Sequence, residues 1–388
     1  LLKKNRRTTD GHQYTVPSPD RYPYQWLWDS CFHAIVLAKF EPEAAIAELR
    51  SLLAKQLPSG LVPHIIFWDP RITRPYNWGW GLKGTSSITQ PPMLAYAAWE
   101  IYRHTDDASF LQELFPGMLA YYQHLVDKRD PRDHHLIGII NPDESGEDNS
   151  PRFDLPMHVS TDISFLGHIR ERWKLVAANR TCDFNAETCM REHFWVKDVP
   201  FNTILINNLD ALGHIASVLG ESEAEHFASL HAGLIRQAMR DRLFADGVFW
   251  SAAGMDYTPL RVATWAHFAP LFADLYSPEE AAALVRTHFY DEETFRCAYG
   301  IRTVSKQEPS YRTDGFWRGP VWFAPHWFIY KGLRSYGFTK EAEWIAERSR
   351  ALVEKHGFRE YFNPETGEAY GAHDFTWGTL VTDMIEGS

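Results

Sequence analysis

Apolar residues recur at helical spacing along most of this chain, and the helices they define are of two alternating kinds. Segments opening near Asp29, Gln90, Phe201, Arg261, Gly319 and Phe375 are apolar almost all round, the mark of a buried helix. Each is followed by a segment rich in Ala, Glu and Arg on one face, such as 42–55 and 340–355, the mark of an outer helix. The buried segments recur about every 60 residues, and the interval from Gln90 to Phe201 is about twice as long. One helical hairpin per interval, buried and outer helices alternating, predicts an all-α (α/α)6 barrel. Helices are expected over 30–40, 43–57, 91–104, 108–127, 160–178, 201–219, 221–243, 261–275, 278–289, 319–336, 339–355 and 375–386, with Gly60, Gly220 and Gly337 as stop signals. Residues 1–7 read as the end of a helix, which would be the first outer one. No Pro/Gly/Ser-rich linker divides the chain, so 1–388 is expected to form one catalytic domain, with 155–198 inserted in the doubled interval.

A solenoid would also alternate helices, but it would not gather Trp, Asp and Glu in the loops before its buried helices. That gathering implies that the loops meet around one mouth. Many of the 15 Trp and 17 Tyr stand beside polar residues, in 22–29, 76–80, 311–322 and 361–377. Aromatic faces next to hydrogen-bonding groups suit a sugar ring, apolar on its C–H face and hydroxylated at its rim.

Residues 141–154 hold five carboxylates, Asp143, Glu144, Glu147, Asp148 and Asp154, against one cation, Arg152. Two Pro and a Gly keep the segment from being a helix. It stands between apolar 136–140 and Phe153, and a carboxylate held against apolar groups has its pKa raised, as a general acid near neutrality requires. A calcium loop is disfavoured, because Gly146 is misplaced for an EF-hand and no bidentate Glu closes the frame. Glycoside hydrolysis needs a second carboxyl across the bond. The best source is 358–368, where Asn363-Pro364 and Thr366-Gly367 set a turn and leave Glu360 between aromatic neighbours. Glu365 is expected to be solvated in the turn, and Glu368 is the rival base.

A formal net charge of −11 argues against nucleic acid or an anionic membrane as the main partner. No apolar run is long enough to span a bilayer, and residues 1–7 lack a signal peptide's apolar stretch. A cytoplasmic location follows as the expectation, with Cys31, Cys182, Cys189 and Cys297 as reduced thiols, since no CxxC pair occurs. The 18 His include no HExxH, so neither a metal nor another cofactor is expected. Asn179-Arg180-Thr181 matches a glycosylation sequon, expected to be chance without a secretory signal.

Four motifs together resemble glycoside hydrolase family 63. Glu144-Ser145-Gly146-Glu147-Asp148-Asn149-Ser150-Pro151-Arg152 is similar to the family's ESGxDNSPR acid loop, and Tyr24-Gln25-Trp26-Leu27-Trp28-Asp29-Ser30 resembles its sugar-binding loop. Trp317-Arg318-Gly319-Pro320-Val321-Trp322 matches its WRGPVW motif, and Glu360-Tyr361-Phe362-Asn363-Pro364 with Thr366-Gly367-Glu368 matches its base loop. The motifs stand in the family's order over 22–377. The resemblance implies an (α/α)6 barrel and an inverting mechanism, with Asp148 as general acid and Glu360 as general base. Asp29 would bind sugar hydroxyls in the −1 subsite, although it could also cap the helix it precedes. Tyr22, Trp26, Trp28, Trp317 and Trp322 would form the pocket walls, and Gln90 a rim contact. Arg152 and Arg318 would either touch the ligand or hold neighbouring carboxylates, and Trp327 is expected to be a packing residue. His326 and Gly378 depart from the family's common residues at positions expected to alter packing more than chemistry.

Segment 155–198 has no secure match in the family and carries Arg170, Arg172, Arg180 and Arg191, so a lid or leaving-group subsite is expected there. A single catalytic domain resembles the bacterial mannosylglycerate and glucosylglycerate hydrolases. That makes an exo-acting α-glycosidase acting on a small α-glycoside the leading expectation, with self-association into a homo-oligomer left open. Their substrate carries a carboxylate, so an Arg is expected near the mouth, with Arg191 and Arg152 as candidates. The alternatives are an α-glucosidase acting on short gluco-oligosaccharides or trehalose, a non-catalytic carbohydrate-binding barrel, and a sugar epimerase. The last would put His at the mouth, where the motif loops carry carboxylates instead.

Overall fold

A computed structural model describes residues 1–69, 79–81 and 84–386. Tyr76, Asn77 and Trp78 of the expected aromatic loop lie outside the described residues. The chain opens with one helical turn, α1 (Leu2–Asn5), which runs into a hairpin of Arg6–Thr9 and His12–Thr15. Helices then come largely in pairs: α2 (Leu27–Leu37) with α3 (Pro42–Leu53), α4 (Leu94–Thr105) with α5 (Ser109–Lys128), α6 (Phe165–Thr181) with α7 (Ala186–Glu192), and α8 (Val199–Leu219) with α9 (Ser222–Leu243). After α10 (Pro278–Leu284) come α11 (Phe323–Ser335), α12 (Thr339–His356) and α13 (Leu380–Glu386).

The contacts close into a ring. α2 packs on α4, α4 on α8, α8 on the 3-10 turn Ala269–Ala273, that turn on α11, α11 on α13, and α13 back on α2. Every residue of α2 is buried, as its lack of a polar face requires. Outside this ring, α3 covers α2, α5 covers α4, α9 covers α8 and α12 covers α11. These outer helices bury one face only, for example Ala342, Ile345, Ala346, Ser349 and Leu352 of α12.

Proline moves several boundaries from their expected places. The helix expected over 261–275 is instead two 3-10 turns, Trp265–His267 and Ala269–Ala273, because Pro270 has no N–H for an α-helical ladder. Pro91-Pro92 and Pro320 likewise delay α4 and α11 to Leu94 and Phe323. Asp29 is not the cap of its helix, since α2 already begins at Leu27. Strands are short and form sheets of two or three strands, and the most consequential is the antiparallel pair Arg359–Phe362 and Ala369–His373.

The expectation of four free thiols is overturned for two of them. Cys182 and Cys189 form a disulfide, while Cys31 and Cys297 are free and buried. The turn between α6 and α7 folds the chain back on itself, which brings the two Cα atoms within 5.6 Å although seven positions separate the residues. Asn179 of the sequon is fully buried, donating to the Ile140 carbonyl at 3.2 Å and accepting from Asn141 at 3.0 Å, so it presents no amide to glycosylate. His326 is a packing residue too: its Nε2 accepts from the Ile301 N–H at 2.9 Å and its Nδ1 meets Ser349 Oγ at 2.9 Å. No described helix is long and apolar enough to cross a membrane.

Candidate active site

The loops before the ring helices converge on a cavity of about 240 Å³. Tyr22, Trp26, Trp28, Asp29, Gln90, Asp148, Trp317, Trp322 and Glu360 all line it, so most of the residues singled out from the sequence meet at one place. No histidine stands among the described lining residues.

In the acid loop three carboxylates are paired with arginines of their own, and the other two share Arg172. Glu144 is fully buried, accepting from the backbone N–H groups of Thr89 (3.1 Å) and Ile140 (2.8 Å) and pairing with Arg129 at 2.8 Å. Glu147 takes both arms of Arg152 at 2.9 Å each, and Arg152 also reaches Asp198 at 3.1 Å. Asp154 is paired with Arg318 at 2.9 Å, and Asp143 with Arg172 at 3.2 Å. Asp148 also meets Arg172, and its side chain is 22 % exposed and lines the cavity. Burial pushes its pKa up to about 6, with Asp143 adding to the rise and the ion pair with Arg172 opposing it. Gly146 has φ +74°, and a Cβ there would strike the Trp28 ring, so the loop needs glycine to lie against the pocket wall.

Glu360 is held from the opposite side. The register of its hairpin shifts between Arg359 and Tyr361, and this irregularity turns the Ala372 N–H onto Glu360 Oε2 at 2.6 Å. Tyr22 donates its hydroxyl to Oε1 at 2.7 Å. Burial raises the Glu360 pKa, the two donors oppose that rise, and the charge of Asp148 adds to it. The side chain is 1 % exposed and fits only because Gly371 leaves room: a Cβ there would collide with Oε2. Glu368, the rival base, is exposed and accepts only from Tyr370, at 3.2 Å. Glu365 is not merely solvated, since Arg302 pairs with it at 2.9 Å and Tyr311 donates to it at 2.7 Å.

The aromatic walls form a stack and a corner. Trp317 and Trp322 lie parallel at 4.0 Å, and Trp322 stacks on Tyr361 at 5.0 Å. Trp28 meets Trp377 edge to face at 4.9 Å. Trp377 also donates its Nε1–H to Asp29 at 2.6 Å, while burial pushes the Asp29 pKa up to about 6. Gln90 is tied to this corner by accepting from the Trp28 N–H at 3.4 Å. Trp327 lies outside the lining, buried and donating to Asp383 at 2.7 Å.

Two expected ligand contacts are corrected. Arg152 and Arg318 do not line the cavity; both are buried and saturated by the carboxylates named above, so they fix the acid loop. Arg191 is not a mouth residue either, as it is exposed and paired with Glu187 at 2.8 Å. The arginine that does reach the cavity is Arg172 of α6, with Phe165, Ile169, Trp173 and Val176 of the same helix. The sequence offered a faint signal for it, because a surface helix that alternates Phe165, Leu166, Ile169 and Trp173 with charges leaves its apolar groups uncovered. Leu166 is 77 % and Phe165 52 % exposed.

Residues 22–378 match the family model described as the mannosylglycerate hydrolase MGH1-like glycoside hydrolase domain. The chain is 32 % identical to a mannosylglycerate hydrolase of Thermus thermophilus, covering 98 % of this chain and 97 % of that protein. It is 27 % identical to a glucosylglycerate hydrolase of Mycolicibacterium hassiacum, covering 98 % and 95 %. It superposes with a TM-score of 0.89 on a crystal structure of a GH63 mannosylglycerate hydrolase from Thermus thermophilus in complex with Tris and D-glycerate, at 31 % identity over 99 % of this chain and 98 % of that one. With fold, motif order and pocket in agreement, the chain is a glycoside hydrolase and belongs to the mannosylglycerate hydrolase-like branch of family 63.

Proposed function

We propose that this protein is an exo-acting, inverting α-glycosidase, built as an (α/α)6 barrel, that hydrolyses an α-glycoside of the mannosylglycerate or glucosylglycerate type. The observation that carries this reading is the pair Asp148 and Glu360, two carboxyl groups of opposite setting that share one aromatic pocket. Asp148 is the general acid: it is exposed to the cavity and its pKa is lifted to about 6, so it can hold a proton for the glycosidic oxygen. Glu360 is the general base. Its two donors stabilise the ionised form, and it draws the proton from a water that attacks the anomeric carbon on the face opposite the leaving group. Single displacement needs a gap of about 6.5–9.5 Å between the two carboxyl groups, room for the attacking water.

Asp29, oriented by Trp377, accepts from sugar hydroxyls in the −1 subsite, against the walls of Trp28, Trp317 and Trp322. The insertion 155–198 supplies the leaving-group side through α6, and Arg172 gives that side the positive charge that a glycerate carboxylate would seek. Mannosylglycerate and glucosylglycerate should be offered in parallel, with the released sugar followed by NMR. Cleavage of either with the β-anomer appearing first is the expected outcome. Appearance of the α-anomer first refutes single displacement, and inertness toward both refutes the substrate class.

A further inference from the structure

Among the described residues that line the cavity, Arg172 is the only cation, and it is already engaged. Its guanidinium forks across the acid loop, with Nε 3.2 Å from Asp143 Oδ2, Nη2 on Asp143 Oδ1 and Nη1 on Asp148 Oδ2. An arginine bridging two carboxylates favours the ionised form of both. An acid catalyst must instead carry a proton when the glycosidic oxygen arrives. The other groups around the pair do not remove the conflict. Glu360 faces Asp148 across the pocket and opposes its charge only from a distance, while Tyr22 beside it is neutral, its hydroxyl pushed well above the usual range by burial. His64 and His168, which feel Arg172, are driven to their neutral forms by burial and by that cation. Both members of the pair reach the cavity, with side chains 17 % and 22 % exposed, so a ligand can touch them.

We propose that a carboxylate on the departing half of the substrate takes over Arg172, and that Asp148, losing its counter-charge, takes a proton from solvent, so that the substrate arms its own acid catalyst. The inference rests on the carboxylated-glycoside reading above. The charge balance supports it. Among the described residues, one guanidinium faces Asp143 and Asp148 before binding, which leaves one net negative charge on these three groups. After binding, the guanidinium faces Asp143 and the ligand carboxylate, and the cluster keeps that charge only if Asp148 is neutral. Asp143 is the residue that holds Arg172 in place through the exchange, since its two oxygens take Nε and Nη2 and leave Nη1 to change partner. A glycoside with a neutral aglycone fills the sugar subsite without triggering this step, so selectivity for carboxylated substrates resides in turnover as well as in affinity.

The direct test is calorimetry of D-glycerate binding at neutral pH, in buffers of different ionisation enthalpy. D-Glycerate is already ionised there, so any proton taken up goes to the protein. Between about half a proton and one proton should be taken up per glycerate by the unmodified enzyme, and close to none by Asp148→Asn. Methyl α-mannoside and methyl α-glucoside should bind without uptake. Arg172→Met should weaken glycerate binding at least about tenfold and move the upper limb of kcat/KM for the carboxylated substrate to higher pH, which a merely structural arginine would not do; Arg172→Lys should restore part of both. Binding of glycerate without proton uptake, or uptake that survives in Asp148→Asn, overturns the inference while leaving the substrate reading intact. Failure of glycerate to bind and of both glycosylglycerates to be cleaved overturns the substrate reading and the inference with it.

Discussion

The two carboxyl groups that face each other across the pocket are held in opposite ways. Asp148 is partly open to the cavity, and its partner is a charged side chain on α6, a helix whose outer positions are largely exposed. Glu360 is closed off, clamped by a phenol and a backbone N–H on a hairpin that pairs with the ring through Val321 and Phe362. The difference matches what each group would do under the proposed mechanism. An acid that gives up a proton in every cycle needs a route to solvent and a counter-charge that can be withdrawn. A base that collects a proton from one water needs its oxygens fixed in space, which neutral donors do without locking the charge.

The contrast can be broken most sharply by removing either charge. Asp148→Asn and Glu360→Gln should each lower kcat by about 10³-fold or more, with thermal stability kept, as read by turnover and melting curves. Near-normal turnover in Asp148→Asn would falsify its assignment, and a dead Glu368→Gln beside an active Glu360→Gln would transfer the base. Next in size is Gly371→Ala, which pushes a methyl group against Glu360 Oε2. A loss of roughly 10²-fold in kcat with KM little changed is expected, because a misplaced base still leaves the sugar subsite intact.

The pH profile sharpens the comparison further. An acid with a pKa of about 6 is protonated below that value, so kcat/KM for the free enzyme should fall as pH rises through about 6. Tyr22→Phe removes a donor that favours ionised Glu360, so the lower limb of the same profile should move to higher pH, with about a tenfold loss of rate. An unmoved lower limb would detach Tyr22 from the base. The smallest effect is expected at the α6–α7 turn. Replacing Cys182 and Cys189 by Ala should cost about 2 kcal/mol of stability and leave kcat within a few-fold, since the bridge ties the far end of α6 and not Arg172 itself. A collapse of kcat with unchanged stability would place the disulfide in the catalytic apparatus instead.

How far the sequence could be read depends on whether the signal was local. The helix pairs of the ring were legible because apolar periodicity reports burial directly, and Phe323–Ser335 or Val199–Leu219 carry it over several turns. Where Pro270 breaks the ladder, the same periodicity predicted a helix that the backbone cannot make. Glu360 stood out by its turn, whereas Asp148 was told from the other acids of its loop by the resemblance to the family's acid-loop motif. By contrast, Arg152 and Arg318 looked like ligand contacts because they sit inside site motifs, yet Asp198, Glu147 and Asp154 reach them first. Which of several nearby carboxylates claims a guanidinium is not written in spacing.

The sequence by itself determined the alternation of buried and outer helices, the loops that carry the carboxyl groups, and, through its motifs, the family. Only the tertiary structure decided that Arg172 bridges Asp143 and Asp148, that Gly371 clears a place for Glu360, and that Cys182 and Cys189 are joined. The physical reason is range. Periodicity and turn chemistry act between residues a few positions apart, whereas a bridging guanidinium or a glycine under a carboxylate depends on where separate segments come to rest. The five acids of 141–154 crowd into one short loop, and packing leaves Asp148 the most exposed of them, at the cavity.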